Sequence, residues 1–141
     1  MGIEGLLKVG IAVKDLEEAK RLFGQVFGLA SEGEDTYEPL SMRYSLSSLG
    51  NMLLELIQPT GPEGPIARFI KNHGEGLQHI CFTVSDIEEV MKQLKQQGIE
   101  FVPESPFELD AAFGRAKFAF ARPRAFNGVI VEFVEVVRPA A

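Results

Sequence analysis

The chain has 141 residues, of which 45% are hydrophobic, and a formal net charge of −6, so it can bury one core and is unsuited to general nucleic-acid binding. The single cysteine, Cys81, excludes an internal disulfide framework, and no apolar run is long enough to span a bilayer. We therefore expect a cytoplasmic protein with one domain, residues 1–141, and a small-molecule partner.

The first predicted element is a strand. Residues 7–13 alternate between large apolar side chains and small or polar ones, which is typical of a strand with one face on a core. Asp15, followed three residues later by Glu18, resembles a capping box and predicts the start of an amphipathic helix. Two further strands are predicted at 42–49 and 51–58.

The second half has a similar plan. A short helix is predicted at 65–73, before a strand at 79–84 that alternates in the same way. Asp86 and Glu89 again predict the start of a helix. The remaining predicted strands are 99–102, 115–122 and 128–136.

One motif is written twice in the chain. LKVGIAVKDLEEA at 7–19 is echoed by LQHICFTVSDIEEV at 77–90, with the apolar and acidic positions in the same order. Lys8 stands where the second copy has His79, 71 positions later. A chance likeness of two strand-helix segments is the alternative, but the shared order, spacing and caps favour a duplication.

A second echo supports the duplication and defines its modules. NMLLELI resembles NGVIVEFV and aligns Glu55 with Glu132, 77 positions later. We therefore expect two modules of one strand, one helix and about three more strands, at about 5–60 and 76–137.

A pseudo-twofold between the modules would make equivalent positions face each other. Glu55, His79 and Glu132 would then converge with Lys8 in one cavity, and two carboxylates with an imidazole suit a divalent metal. Taken singly, each glutamate would be a solvated strand residue and His79 a satisfied core histidine. Two carboxylates at equivalent places within apolar strands favour the site, because burying them needs a partner or a metal.

Four segments resemble the vicinal oxygen chelate superfamily, which includes glyoxalase I, bleomycin resistance proteins and extradiol dioxygenases. They are GIAVKDLEEA, ELIQPTGPEGPIARFI, GEGLQHICFTVSDIEE and GVIVEF, spread over nearly the whole chain. Within the superfamily, the chain is similar to methylmalonyl-CoA epimerases. The resemblance implies a glyoxalase-like α+β fold, with two βαβββ modules forming a cupped mixed sheet around a divalent metal such as Co, Zn, Ni or Mn.

The resemblance also assigns residues. It implies that His79 and Glu132 are metal ligands and that Glu55 falls where the family has Glu or Gln. The first metal ligand of the family is normally a histidine, and this chain has Lys8 at that position. Glu38 is the nearest match to the family's proton-transfer glutamate, about one residue off the usual spacing. The catalytic candidates are therefore Glu38, Lys8 and Glu132.

Lys8 leaves three alternatives open. In the first, its ammonium replaces the metal and neutralises Glu55 or Glu132. In the second, the Lys8 side chain extends to solvent and leaves a metal site of three ligands, Glu55, His79 and Glu132. Alternatively, Lys8 acts as an acid, a base or an oxyanion stabiliser. Because a charged ammonium cannot ligate a cation and repels it, the sequence favours a site with weak or no metal.

A basic stretch bears on the ligand. From Ala111 to Gly128 every charged side chain is a cation, and the chain from Phe101 onward is rich in phenylalanine. Such a stretch suits an anionic ligand with an apolar part, such as an acyl-CoA. The alternative is an edge strand with a solvated basic face and phenylalanines in the core.

Two functions from different classes follow. The first is an epimerase-like isomerase or lyase that abstracts a proton next to a carbonyl, with Glu38, Glu55 or Glu132 as base and a metal or Lys8 stabilising the enolate. The second is a non-catalytic protein that sequesters a small molecule in the same cavity. A homodimer is compatible with both, whereas nucleic acid and membranes are not expected partners.

Overall fold

The computed structural model describes residues 2–141. Its elements, in chain order, are β1 (Ile3–Ala12), α1 (Leu16–Phe27), β2 (Gly33–Tyr37), β3 (Met42–Leu49), β4 (Met52–Pro59), α2 (Pro65–His73), β5 (Gly76–Val84), α3 (Ile87–Gln96), β6 (Phe107–Ala111), β7 (Gly114–Ala121) and β8 (Ile130–Pro139). Apart from α2, the order is βαβββ written twice. This confirms the predicted α+β, glyoxalase-like fold.

The chain divides into two compact units. We call Lys8–Gln78 the first unit, and residues 2–7 together with His79–Ala141 the second unit. The predicted module limits, about 5–60 and 76–137, and the single domain 1–141 stay predictions.

The first unit is a mixed sheet with helices on both faces. Its strand order is β2-β3-β4-β1, with β1 parallel to β4 and the other pairs antiparallel. Helix α1 starts where the Asp15 carboxylate accepts the Glu18 N–H at 3.1 Å, as its capping pattern predicts. Its Leu16 packs against β4 on one face, while Ile66 of α2 packs near Ile57 on the other.

The second unit follows the same plan. Its strand order is β5-β8-β7-β6, with β5 parallel to β8. Asp86 caps α3 by accepting the Glu89 N–H at 3.1 Å. The apolar face of α3 packs against β7 and β8, burying a core that includes Ile87, Val90 and Phe133.

The predicted strand at 99–102 is wrong. In this segment only Phe101 forms an isolated bridge, with Ala121. Pro103 and Pro106 follow closely, and a residue without an N–H cannot extend a ladder. The second strand of the second unit is instead β6, which is five residues long.

The sequence analysis also missed β2. Both β2 and β6 lie at the outer end of their unit's strand order and carry acidic residues, GEDTY in β2 and FELDA in β6. GEDTY in β2 gives little hydrophobic alternation, which explains why the pattern did not reveal this strand, whereas FELDA in β6 does alternate and was overlooked.

Within residues 2–141, none of the helices combines the length and the apolar character that a membrane crossing requires.

Candidate active site: two buried ionisable pairs

The first unit holds a buried ion pair. Lys8 on β1 donates from Nζ to Glu55 Oε1 on β4 at 2.9 Å, and the two side chains are 6% and 7% exposed. Glu55 is in register with Gly10 on β1 and with Leu46 on β3. Since Gly10 has no side chain, the space beside Glu55 on β1 is open to the side chain of Lys8, two residues earlier on the same face. Lys8 therefore does not extend to solvent, and that alternative is wrong.

The second unit holds a buried pair at the echoed positions. His79 Nε2 on β5 and Glu132 Oε2 on β8 lie 3.2 Å apart, and both side chains are 4% exposed. Glu132 is in register with Cys81 on β5 and with Phe120 on β7. Each unit thus joins the polar residue of its first strand to the glutamate of its last strand, at the positions that the repeat aligns.

An apolar, aromatic surface surrounds the His79–Glu132 pair. Strand alternation places Cys81 on the His79 face of β5, where it packs with Phe118 and other apolar residues of β6, β7 and β8. Phe107 stacks on Phe118 and Phe120, with ring centroids 5.6 and 6.0 Å apart. Electrostatic interactions are stronger in such surroundings than in water, so the pair is suited to proton transfer or cation binding.

Tyr44 is a polar residue of the first unit that the sequence analysis missed. It lies on β3 opposite Ile57, which follows Glu55 by two residues and faces the same side of β4. Burial raises the pKa of the Tyr44 phenol, and the negative charges of Asp35 and Glu55 raise it further, while Lys8 opposes them. Once the β3–β4 register is known, alternation alone places Tyr44 on the Glu55 face.

Glu38 lies in different surroundings from the two pairs. It begins a short 3-10 helix, Glu38–Leu40, between β2 and β3, and it is exposed. Its predicted role in proton transfer stays a prediction.

The cations of the basic stretch are paired with carboxylates. Arg122 and Arg124 both reach Glu100, at 3.1 and 2.5 Å, and Lys117 reaches Glu88 at 2.8 Å. The remaining cation, Arg115, lies 2.8 Å from an acid of β6. Six of the phenylalanines from Phe101 onward lie within the hydrophobic clusters as buried or packed residues, namely Phe101, Phe107, Phe113, Phe118, Phe126 and Phe133. The structure thus supports the alternative interpretation, in which the basic side chains form a solvated face and the phenylalanines lie in the core.

An acidic group lies at the start of α3. Carboxylate oxygens of Asp86, Glu88 and Glu135 lie within 4.8 Å of one another. Asp86 caps the helix, and Glu135 accepts the Ile87 N–H at 2.8 Å. Negative charge at a helix N-terminus is stabilising, and these contacts account for the group.

Comparisons with known proteins identify the family. Residues 7–120 match the model of the glyoxalase/bleomycin resistance protein/dioxygenase superfamily. The chain is 35% identical to the ethylmalonyl-CoA/methylmalonyl-CoA epimerase of Cereibacter sphaeroides, over 91% of this chain and 95% of that protein. It is also 33% identical to the uncharacterized protein YqjC of Bacillus subtilis, over 90% of this chain and 89% of that protein. The methylmalonyl-CoA epimerase of Mycobacterium tuberculosis superposes with a TM-score of 0.85 at 27% identity, over 99% of this chain and 90% of that one. The chain belongs to the glyoxalase/bleomycin resistance protein/dioxygenase superfamily.

Proposed function

We propose that this protein is an isomerase of the epimerase type, which acts on a 2-carboxyacyl-CoA thioester. The observation that carries the proposal is the pair of buried ionisable contacts, Lys8–Glu55 and His79–Glu132, at equivalent places of the two units. The epimerases among its relatives support the substrate class.

The chemistry demands a base and a stabilised enolate. A carbon between a carboxylate and a thioester carbonyl loses its proton to a base, and the charge then moves to the thioester oxygen. Reprotonation from the other side inverts the centre. Glu132 is assigned as the base, because its apolar surroundings and its contact with His79 suit proton transfer. Lys8 is assigned as the enolate stabiliser and Glu38 as the second proton-transfer group.

The residues fit a divalent metal only in part. His79 Nε2 and Glu132 Oε2 are 3.2 Å apart, and imidazole and carboxylate are good ligands for Zn, Co, Ni or Mn. The third expected ligand, Glu55, is held by the Lys8 ammonium, which also repels a cation. We therefore assign weak metal binding to His79 and Glu132. A bound metal would act as a Lewis acid on the enolate oxygen.

Hydrogen exchange tests the proposal directly. Methylmalonyl-CoA is incubated in deuterium oxide with chelator-treated protein, and deuterium at its 2-carbon is followed by mass spectrometry. Wild type should catalyse the exchange, and Glu132→Gln should lower the rate by about 100-fold or more, because it removes the base. Glu108→Gln, which alters an exposed acid on β6, is the control and should match wild type. Wild-type exchange no faster than that of Glu132→Gln would contradict the assignment.

The second candidate is a non-catalytic binding protein. One observation favours it: Lys8, which stands where the family has a ligand histidine, neutralises Glu55 with its ammonium. The same samples test it, because calorimetry with methylmalonyl-CoA would then show binding while no deuterium enters the ligand.

A further inference from the structure

Tyr44 lies beside the Lys8–Glu55 pair without belonging to the predicted site. On β3 it is two residues from Leu46, which is directly opposite Glu55. Diagonal neighbours of antiparallel strands are about 7–8 Å apart at their backbones, a distance that a tyrosine side chain spans. The Tyr44 side chain is half-buried among Met42 and Ile57, so ligands still have access to it.

The charges around Tyr44 come from three neighbouring strands. Asp35 lies opposite it on β2, Glu55 lies on β4, and Lys8 on β1 opposes their effect. Helix α2 contributes apolar side chains to this cluster, among them Ile66. Burial is the main cause that holds the pKa of Tyr44 above its ordinary value of 10.0, and the charges of Asp35 and Glu55 add to it. The phenol is therefore a neutral hydrogen-bond donor at neutral pH.

The hydroxyl is also available. Across residues 2–141, no hydrogen bond from the Tyr44 hydroxyl to another protein group is seen. The Tyr44 phenol and the Lys8 ammonium interact electrostatically. A neutral phenol and an ammonium that reach the same anionic oxygen offer it two donors, a combination that stabilises carboxylates and enolates.

We propose that Tyr44 is a substrate-binding residue, whose hydroxyl donates a hydrogen bond to an anionic oxygen of the 2-carboxyacyl thioester next to the Lys8 ammonium. The inference rests on the proposed function and adds a residue to its site. Tyr44 orients the carboxylate or the enolate, while Lys8 supplies the charge.

The first test is kinetic. Tyr44→Phe removes only the hydroxyl and should lower kcat/KM for 2-carbon exchange of methylmalonyl-CoA by about 10- to 100-fold, less than the loss of a sole oxyanion donor because Lys8 remains. Tyr37→Phe, the same change at the chain's other tyrosine, is the matched control and should leave the rate unchanged.

The second test reports on the phenol itself. The chain has two tyrosines, so Tyr37→Phe leaves Tyr44 as the only one. With its hydroxyl-bearing carbon isotope-labelled, this variant gives one NMR signal that follows ionisation and hydrogen bonding. In this background Glu55→Gln should lower the pKa of Tyr44 and Lys8→Met should raise it, because the two charges act in opposite senses. Methylmalonyl-CoA should shift the signal.

The outcomes separate the two proposals. An active wild type, a slow Tyr44→Phe and a ligand-dependent Tyr44 signal support the inference. An active wild type with equal kcat/KM for Tyr44→Phe overturns the inference and leaves the proposed function intact. The inference is also overturned if Glu55→Gln and Lys8→Met shift the pKa of Tyr44 in the same direction. An inactive wild type overturns the proposed function, and the inference with it.

Discussion

Replacing Lys8 with methionine should reveal how strongly the first unit depends on its buried ion pair. Methionine keeps much of the side-chain length and removes the ammonium that lies 2.9 Å from Glu55 Oε1. Both side chains are less than a tenth exposed, so water replaces little of the lost interaction. Removing one partner of a buried pair typically costs about 3–5 kcal/mol, and we expect Lys8→Met to lower the free energy of unfolding by that amount.

Urea denaturation at neutral pH measures this loss. Lys117→Met is the matched control, because Lys117 also meets a glutamate at 2.8 Å, but with side chains that are 28% and 54% exposed. Exposed pairs contribute little, so the control should lose far less stability. The double variant Lys8→Met/Glu55→Met should recover to within about 1 kcal/mol of wild type, because apolar replacements of a buried pair are often neutral.

Two results would refute this reasoning. Equal losses in Lys8→Met and Lys117→Met would mean that burial does not strengthen the Lys8–Glu55 interaction. A double variant less stable than Lys8→Met would mean that Glu55 contributes through contacts other than its pairing with Lys8.

Two further predictions concern the fold. Gly114→Ala should lower the free energy of unfolding, measured by urea denaturation, by at least about 2 kcal/mol, because Gly114 has a φ of +130° and a Cβ there would collide with the carbonyl of Arg138. Gly61→Ala is the control and should be tolerated, because a Cβ at Gly61 meets open space. The Lys20 ammonium, hydrogen-bonded to Glu34, holds the pKa of the Glu34 carboxyl below its ordinary value of 4.5. The contribution of this contact to stability is therefore present above that pH and is lost as the pH falls. Lys20→Met should raise the pKa of Glu34 in an NMR titration, and an unchanged pKa would contradict the contact.

Much of the fold was predictable because its signals are local. The capping aspartates Asp15 and Asp86 mark the starts of α1 and α3, and the observed limits of β3 equal the predicted 42–49. The short edge strand β2 was missed because its sequence is charged and does not alternate, whereas β6 alternates over its five residues and was overlooked. Their pairing comes from neighbouring strands, which a local pattern does not show.

The site was predictable to the level of residue types. A carboxylate within an apolar strand, at equivalent places in a repeat, pointed to Glu55 and Glu132, and both are buried. That Lys8 pairs with Glu55 could not be predicted, because it depends on the β1–β4 register. Tyr44 escaped notice for the same reason, since nothing near it in sequence marks it as a neighbour of Glu55.

We propose above all that Lys8 stands in the place of a metal ligand, and one measurement tests this most directly. Chelator-treated wild type and Lys8→His are titrated with cobalt by calorimetry near neutral pH. The variant removes the repelling charge and supplies an imidazole, which completes a set of two histidines and two carboxylates on the predicted site. We predict markedly tighter binding by Lys8→His than by wild type. Equal, tight binding by both proteins would contradict the claim, because Lys8 would then have no part in excluding the metal.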